Sequence, residues 1–470
     1  MRLKVLTLIF ILSWCGLFLS QKINLATADL GRHVKNGEII IQASWAEKAE
    51  VLKTNFYSYT MPEAEFVNHH WLSGVIFYAV ERMFGFTGLS LLYVLGSILA
   101  ILLFFNVARR VSSFYTAAFV AIILTPLLVS RAEVRPEMWS YLLPGVFLNL
   151  LYFRKHLWSI PILMMFWVNL HIGFIFGFLV LGSFILEDYK KFWKVTLASV
   201  LLGLVNPFGY KMFLYPFLIF ENYGYKIVEN QSIHFLENLG FGAGEPFMLY
   251  KIVAGAVLVS IAALIYKKVK ISPSIIIPTV ATGVLAYLGI RHFPSFALFT
   301  LPFLSYAMYK MVVTKFSGEV VTGLSVVVLA LSLTFGIQDL IRLGPVLGWG
   351  LSPGVLEAAE FYKTNNLKGP IFNNYDVGGY LIYALPQEKV FVDNRPEAYS
   401  EDFFAQVYVP AQEDDSVWQK LDEQYKFNTI FFSHRDYTPW GQEFLATRLK
   451  DKDWKTVFLD DYIIIFSKVY

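Results

Sequence analysis

An acid, an arginine and a histidine fall within five positions of one another in Ala28-Asp29-Leu30-Gly31-Arg32-His33, and two further histidines follow in Asn68-His69-His70-Trp71. A carboxylate can take a proton from a hydroxyl, and a guanidinium can hold a phosphate or another anion. In a chain so rich in apolar residues, this combination behind the first apolar run points to chemistry at a membrane surface. Asp29 also has a plain structural reading, as the N-cap of a helix that starts at Leu30. His69 and His70 read as anchors beside Trp71, because adjacent histidines lack the i, i+4 spacing that presents two metal ligands from a helix.

Other polar groups interrupt later apolar runs. Arg131, Glu133, Arg135 and Glu137 form one cluster, which reads either as an anion site or as a self-neutralising set of ion pairs at a membrane interface. His171, in Trp167-Val168-Asn169-Leu170-His171, reads as part of a packed turn. Asn206, then Glu229, His234, Glu237 and Glu245 in one long loop, and finally Arg291 and His292 complete the set. An arginine outside the cytoplasm runs against the usual charge bias, which favours phosphate binding by Arg291.

The elements that position these groups follow from composition. With 56% hydrophobic residues, 17% aromatic and only 16% charged, the chain reads as a polytopic α-helical membrane protein. A net charge of +3 gives no reason to expect nucleic acid as a partner. Cys15 is the only cysteine, so no intrachain disulfide can form. Basic pairs at Arg109-Arg110, Arg154-Lys155, Lys190-Lys191 and Lys267-Lys268, with Lys310 and Lys315, mark cytoplasmic ends. About 11 spans satisfy that alternation, near 4–20, 88–108, 113–130, 138–153, 157–170, 172–186, 193–209, 247–266, 272–290, 294–312 and 320–338. The first of these lacks a convincing cleavage site at Phe18-Leu19-Ser20-Gln21 and is expected to be retained, with the N-terminus cytoplasmic. Leu72 to Phe84, carrying Glu81 and Arg82, and Met212 to Phe220, broken by Pro216, read as interfacial helices. The expected organisation is a transmembrane domain over 1–340, with a first outer loop at 21–70, and a separate extracytoplasmic domain over 352–470. That charge alternation places every polar cluster named above on the outer side.

The C-terminal domain reads as a soluble α/β sandwich. A helix is expected from Pro353 to Asn365, and another over Val377 to Ala384. Strands are expected at Pro370 to Phe372, Lys389 to Val392, Thr429 to Phe432, Thr456 to Leu459 and Ile463 to Phe466. Asp393, Asn394 and Arg395 follow directly on one of these strands, where a ligand edge and a simple turn are equally good readings.

An N-terminal span, an outer loop that opens on an acid, an aromatic interfacial helix, a multispan core and an external α/β domain together resemble the GT-C class of integral-membrane glycosyltransferases. The resemblance is to the bacterial branch related to dolichyl-phosphate-mannose protein mannosyltransferases and lipid A aminoarabinose transferases. It covers about residues 1–340. Phe66 to Leu72, Arg135-Pro136-Glu137, Phe372 to Tyr380 and Phe391 to Arg395 carry it locally.

The resemblance implies an acid after the first span as catalytic base or metal-linked carboxylate, which here is Asp29. Many relatives have an acidic pair, whereas Leu30 follows Asp29, so Glu133 or Glu137 is expected as the second carboxylate. Arg32, His33, His70, Arg131, Arg135, His171, Arg291 and His292 are the expected substrate-binding residues. The implied donor is a polyprenyl-phosphate sugar embedded in membrane lipid, and the acceptor a lipid, glycan or protein of the envelope outside a bacterial plasma membrane. A divalent metal ion is compatible with the phosphate role, but no ligand spacing requires one. Two other readings stay open: a transporter or flippase, and an inactive scaffold of the same fold.

Overall fold

Backbone N–H and C=O groups in an apolar phase must bond within their own segment, and the molecule is accordingly mostly helical. A computed structural model describes residues 2–219, 224–242, 246–313 and 318–469; Phe220, Glu245 and Lys315 lie outside these residues. Among the described helices, Arg2–Leu19, Trp71–Val111 and Phe247–Tyr266 are long and apolar enough to cross a membrane. Phe114–Leu128, Met138–Phe153, Ser159–Leu170, Ile172–Ile185 and Pro273–Leu288 are apolar but shorter.

The run Trp71–Val111 comprises the two elements that the sequence separates. It breaks at Gly85, where φ of 63° and ψ of −168° suit only a residue without Cβ. The polar run with Glu81 and Arg82 therefore lies before the break and the basic pair Arg109-Arg110 at the far end.

The chain forms two compact units that do not follow its order. The first comprises residues 1–21, 90–206 and 227–349. Its helices expose large apolar side chains such as Leu6, Ile9, Ile252, Leu258 and Val259, as a lipid-facing surface requires. Polar side chains join helices inside it: Asn106 donates to Asn149 at 2.6 Å, and Asn149 donates to the Leu103 carbonyl at 3.0 Å.

The second unit comprises residues 22–89, 207–226 and 350–470. Its sheet has the order β1-β2-β4-β3, with β1 Ile371–Asn373, β2 Thr429–Ser433, β3 Trp454–Leu459 and β4 Ile463–Lys468. β1 and β2 are parallel and the remaining pairs antiparallel. β2 is buried along its whole length, and Phe372, Phe427, Trp418 and Phe444 pack ring on ring beside it.

Two expected elements differ. Lys389 to Val392 is no strand: Val390 forms a single bridge with Ser58 and exchanges backbone hydrogen bonds with Tyr57 and Tyr59 of the first loop. The Asn373 side chain adds two more, accepting from the Phe391 N–H at 2.9 Å and donating to the Val392 carbonyl at 2.7 Å, and Thr60 Oγ1 donates to the Phe391 carbonyl at 2.8 Å. The helix expected from Pro353 starts only at Glu357, since Gly354 (φ 75°) forms a turn ahead of it. The first loop and the C-terminal segment therefore share one unit.

Candidate functional site

Among the described residues, most of the polar side chains singled out in the sequence gather in two places, one within each unit. In the second unit, helix Leu30–Gln42 follows Asp29, yet the Asp29 side chain makes no capping hydrogen bond. The carboxylate instead turns along the helix to Arg32 and His33, one turn further on. Its Oδ2 lies 3.5 Å from Arg32 Nη2 and 3.3 Å from His33 Nε2. Arg32 and His33 are buried, while the Asp29 side chain keeps 20% of its surface exposed. The acid is thus the accessible end of a buried polar cluster.

Close helix crossings place these groups. A Cβ on Gly37 would lie 2.0 Å from the Gly74 carbonyl oxygen, so only glycine lets helix Leu30–Gln42 meet the start of helix Trp71–Val111. That approach sets the His33 and His70 rings edge to face with centroids 5.1 Å apart, and His69 stacks obliquely on His70 at 3.8 Å. On the other side, a Cβ on Gly31 would lie 2.8 Å from Tyr383 Cβ and 3.1 Å from the Gly379 carbonyl. Helix Gly378–Ala384 is thereby held against the same turn.

The segment Asp393-Asn394-Arg395 completes the cluster. Arg32 Nε donates to Asn394 Oδ1 at 3.4 Å. Arg395 is fully buried, donates to Asp393 through Nε (2.7 Å) and Nη2 (2.5 Å), and donates to Asn55 Oδ1 at 2.6 Å. Its guanidinium also lies over Phe66, 4.6 Å from the ring centroid. Asp393 and Arg395 therefore bind the C-terminal segment to the first loop, and Asn394 between them faces Arg32. Glu397 stands close by: burial pushes its carboxyl up, against the pull of Arg32 and Arg395. The sequence left Asn394 open between a ligand edge and a turn and gave no sign of Glu397, because more than 360 positions separate Asp29 from both and no motif links them.

In the first unit Arg131 and Arg135, with Arg291 from a later segment, meet carboxylates from two segments. Arg131 Nη1 donates to Glu229 Oε2 at 2.7 Å, and Arg135 Nη1 to Glu229 Oε1 at 3.1 Å. Arg135 also holds Glu133 at 2.7 Å, while Arg291 holds Glu137 at 2.6 Å and Asn230 Oδ1 at 2.8 Å. Three guanidinium groups thus face three carboxylates and cancel. Burial alone would raise the Glu137 carboxyl, but Arg291, Arg131 and Arg135 hold it far below the ordinary range. The same opposition leaves Glu229 at about 2. Glu229 lies 98 positions from Arg131, so its pairing was not visible in the sequence.

The remaining expected residues sit as follows. His292 is buried, and burial, reinforced by Arg291, lowers it to about 3, so it is neutral. His171 Nδ1 accepts from the Gly173 N–H at 3.0 Å and meets Ser140 Oγ at 2.6 Å, and Trp167 Nε1 donates to the same Oγ at 3.0 Å. His171 is part of a packed turn between two helices.

This assembly of apolar helices with a small C-terminal sheet has the fold seen in GT-C glycosyltransferases. The oligosaccharyltransferase AglB from Archaeoglobus fulgidus, solved with an inhibitory peptide and a dolichol-phosphate, superposes with a TM-score of 0.63 at 13% identity, over 95% of this chain and 71% of that one. ArnT from Cupriavidus metallidurans in the apo state gives 0.54 at 14% identity, over 99% of this chain and 97% of that one. No family model and no curated protein matches the sequence.

Another structure of the Archaeoglobus enzyme, with a TM-score of 0.57 and 12% identity, is a complex with Zn and sulfate. The Asp29 cluster does not fit such an ion. One carboxylate oxygen, Oδ2, is already shared between a guanidinium and an imidazole, and the buried Arg32 guanidinium would repel a cation placed beside it. Among the described residues, no three His, Cys, Asp or Glu side chains are grouped to hold a metal ion.

Proposed function

We propose that this chain is a membrane glycosyltransferase that moves a sugar from a polyprenyl-phosphate donor to an envelope acceptor on the outer side of the membrane. The observation that carries the reading is the Asp29 carboxylate. It stands directly behind the first apolar helix of a GT-C fold, is turned away from the helix end it would cap, and is partly open to solvent. In the reaction, Asp29 accepts the proton of the acceptor hydroxyl as that oxygen attacks the anomeric carbon, and the lipid phosphate leaves with the electrons of the broken C–O bond. Attack from the face opposite the leaving group inverts the anomeric centre. His33 and Arg32 orient the carboxylate.

The charge that grows on the departing phosphate calls for preorganised cations. In the first unit Arg131, Arg135 and Arg291 are already neutralised by Glu137 and Glu229, so a phosphate there must compete with a carboxylate.

The test compares lipid-linked sugars and envelope glycans by mass spectrometry in cells with and without the protein, and with Asp29→Asn. Loss of one glycan product in both the deletion and Asp29→Asn is expected, with a rate fall of about 10²–10⁴-fold for the variant. Unchanged products in the deletion would defeat the reading.

A further inference from the structure

We propose that Arg32, held in place by Asn394 of the C-terminal segment, is the fixed cation of the Asp29 site and stands where a divalent metal would otherwise be needed. The inference rests on the reading of Asp29 as base. Three observations support it. Arg32 lies 3.5 Å from the Asp29 carboxylate and is buried, so its charge acts in a medium that screens it poorly. Its Nε donates to Asn394 Oδ1, which fixes the plane of the guanidinium as well as its position. Asn394 in turn cannot drift, because its neighbours Asp393 and Arg395 are paired to each other and to Asn55 in the fully buried interior.

The arrangement explains residues that otherwise have no purpose. Asp393, Asn394 and Arg395 do not line a ligand edge of the sheet. Two of them form a buried clamp, and the third faces the arginine next to the acid. Gly31 and Gly379 serve the same end, since a Cβ on Gly31 would push helix Leu30–Gln42 away from helix Gly378–Ala384, and a Cβ on Gly379 would meet the Asn394 side-chain amide at 3.0 Å. Asn394 is thus a positioning residue that acts on Asp29 through Arg32. A divalent ion placed beside the carboxylate would meet the guanidinium at short range, and the two like charges would repel.

The test uses the full chain in lipid nanodiscs and separates metal binding from turnover. Mn²⁺ binding, followed by its electron paramagnetic resonance signal, should be the same in wild type and Asp29→Asn. A stoichiometric site that Asp29→Asn removes overturns the proposal whether or not the chain shows activity. In the transfer assay, activity should survive EDTA. Arg32→Ala should lower kcat by about 100-fold with little change in donor KM, and Arg32→Lys should recover part of it. Asn394→Ala should lower kcat by about tenfold, as loss of one hydrogen bond to a charged group does, and Asn394→Gln should recover less than Arg32→Lys because its longer side chain displaces the acceptor oxygen. Activity that EDTA abolishes and Mn²⁺ or Mg²⁺ restores, or full activity in Arg32→Ala, also overturns it. Absence of sugar transfer under every condition defeats the glycosyltransferase reading instead, and Mn²⁺ binding still decides the present one.

Discussion

The two polar clusters are built from the same residue types and differ in how completely charge is balanced. Around Glu137 and Glu229, three arginines meet three carboxylates, all but Glu133 largely buried. Around Asp29, one carboxylate, about as exposed as Glu229, faces one guanidinium and one imidazole. Charges that balance one another, as in the first cluster, can hold structure on their own. Asp29 has no such matched set of arginines, and that difference in charge balance is why it, and not Glu133 or Glu137, is assigned the proton here.

The largest effect that separates the clusters is the loss of Glu137. Glu137→Gln leaves Arg291 and Arg131 buried without their shared carboxylate, and removing one partner of a buried pair costs about 3–5 kcal/mol. A fall of that size in the denaturation free energy of the purified protein is expected. A change below about 1 kcal/mol would mean that the cluster is exposed in the membrane and behaves as surface pairs do.

Acid should act on the same cluster next. Glu229 sits at about 2 in the folded chain against an ordinary 4.5, so its pairing stabilises fully above the ordinary value and is lost as pH falls through about 2. Glu137 contributes in the same direction, since its arginines also hold it low. Thermal unfolding followed from neutral to acid pH should therefore show midpoints that fall below pH 4.5, and Glu229→Gln should flatten that fall. An equal slope in wild type and variant would remove Glu229 from the account.

Gly37→Ala probes the Asp29 side of the comparison by geometry alone. The added Cβ would meet the Gly74 carbonyl, so the two helices must separate and His33 must leave His70. Overpacking of this kind costs about 1–3 kcal/mol. Transfer activity should fall as well, whereas the pH dependence set by Glu229 should remain. Gly85→Ala would not make the same test, because its difficulty is a positive φ rather than a crowded crossing.

How much of this was legible in the sequence depends on the range of the interaction. The apolar helices and the β2 to β4 strands follow from local patterns, and Asp29, Arg32 and His33 are neighbours on one helix. The pairing of Arg131 with Glu229 and of Arg32 with Asn394 joins segments far apart in the chain, and neither has a spacing that a motif could carry. Lys389 to Val392 has the composition of a strand and still is not one. Its hydrogen bonds go to the first loop and to the Asn373 side chain, and nothing in that run indicates such partners. The boundary at Gly85 was legible, since the sequence already separates Leu72 to Phe84 from a span that begins near 88. Its geometry was not, because glycine permits a positive φ without requiring it.

The smallest expected effect comes from Glu133. It pairs with Arg135 at 2.7 Å, yet half of its side chain is exposed, so water screens the pair and competes for both partners. Arg135 keeps Glu229 when Glu133 is gone, and the buried part of the cluster stays balanced through Glu137 and Glu229. Glu133→Gln should therefore change stability by no more than about 0.5 kcal/mol and leave sugar transfer near the wild-type rate. A large loss of transfer with normal stability would return Glu133 to the position of second carboxylate that the sequence suggested. It would also show that charge balance and burial are not sufficient to tell a structural cluster from a reactive one in this fold.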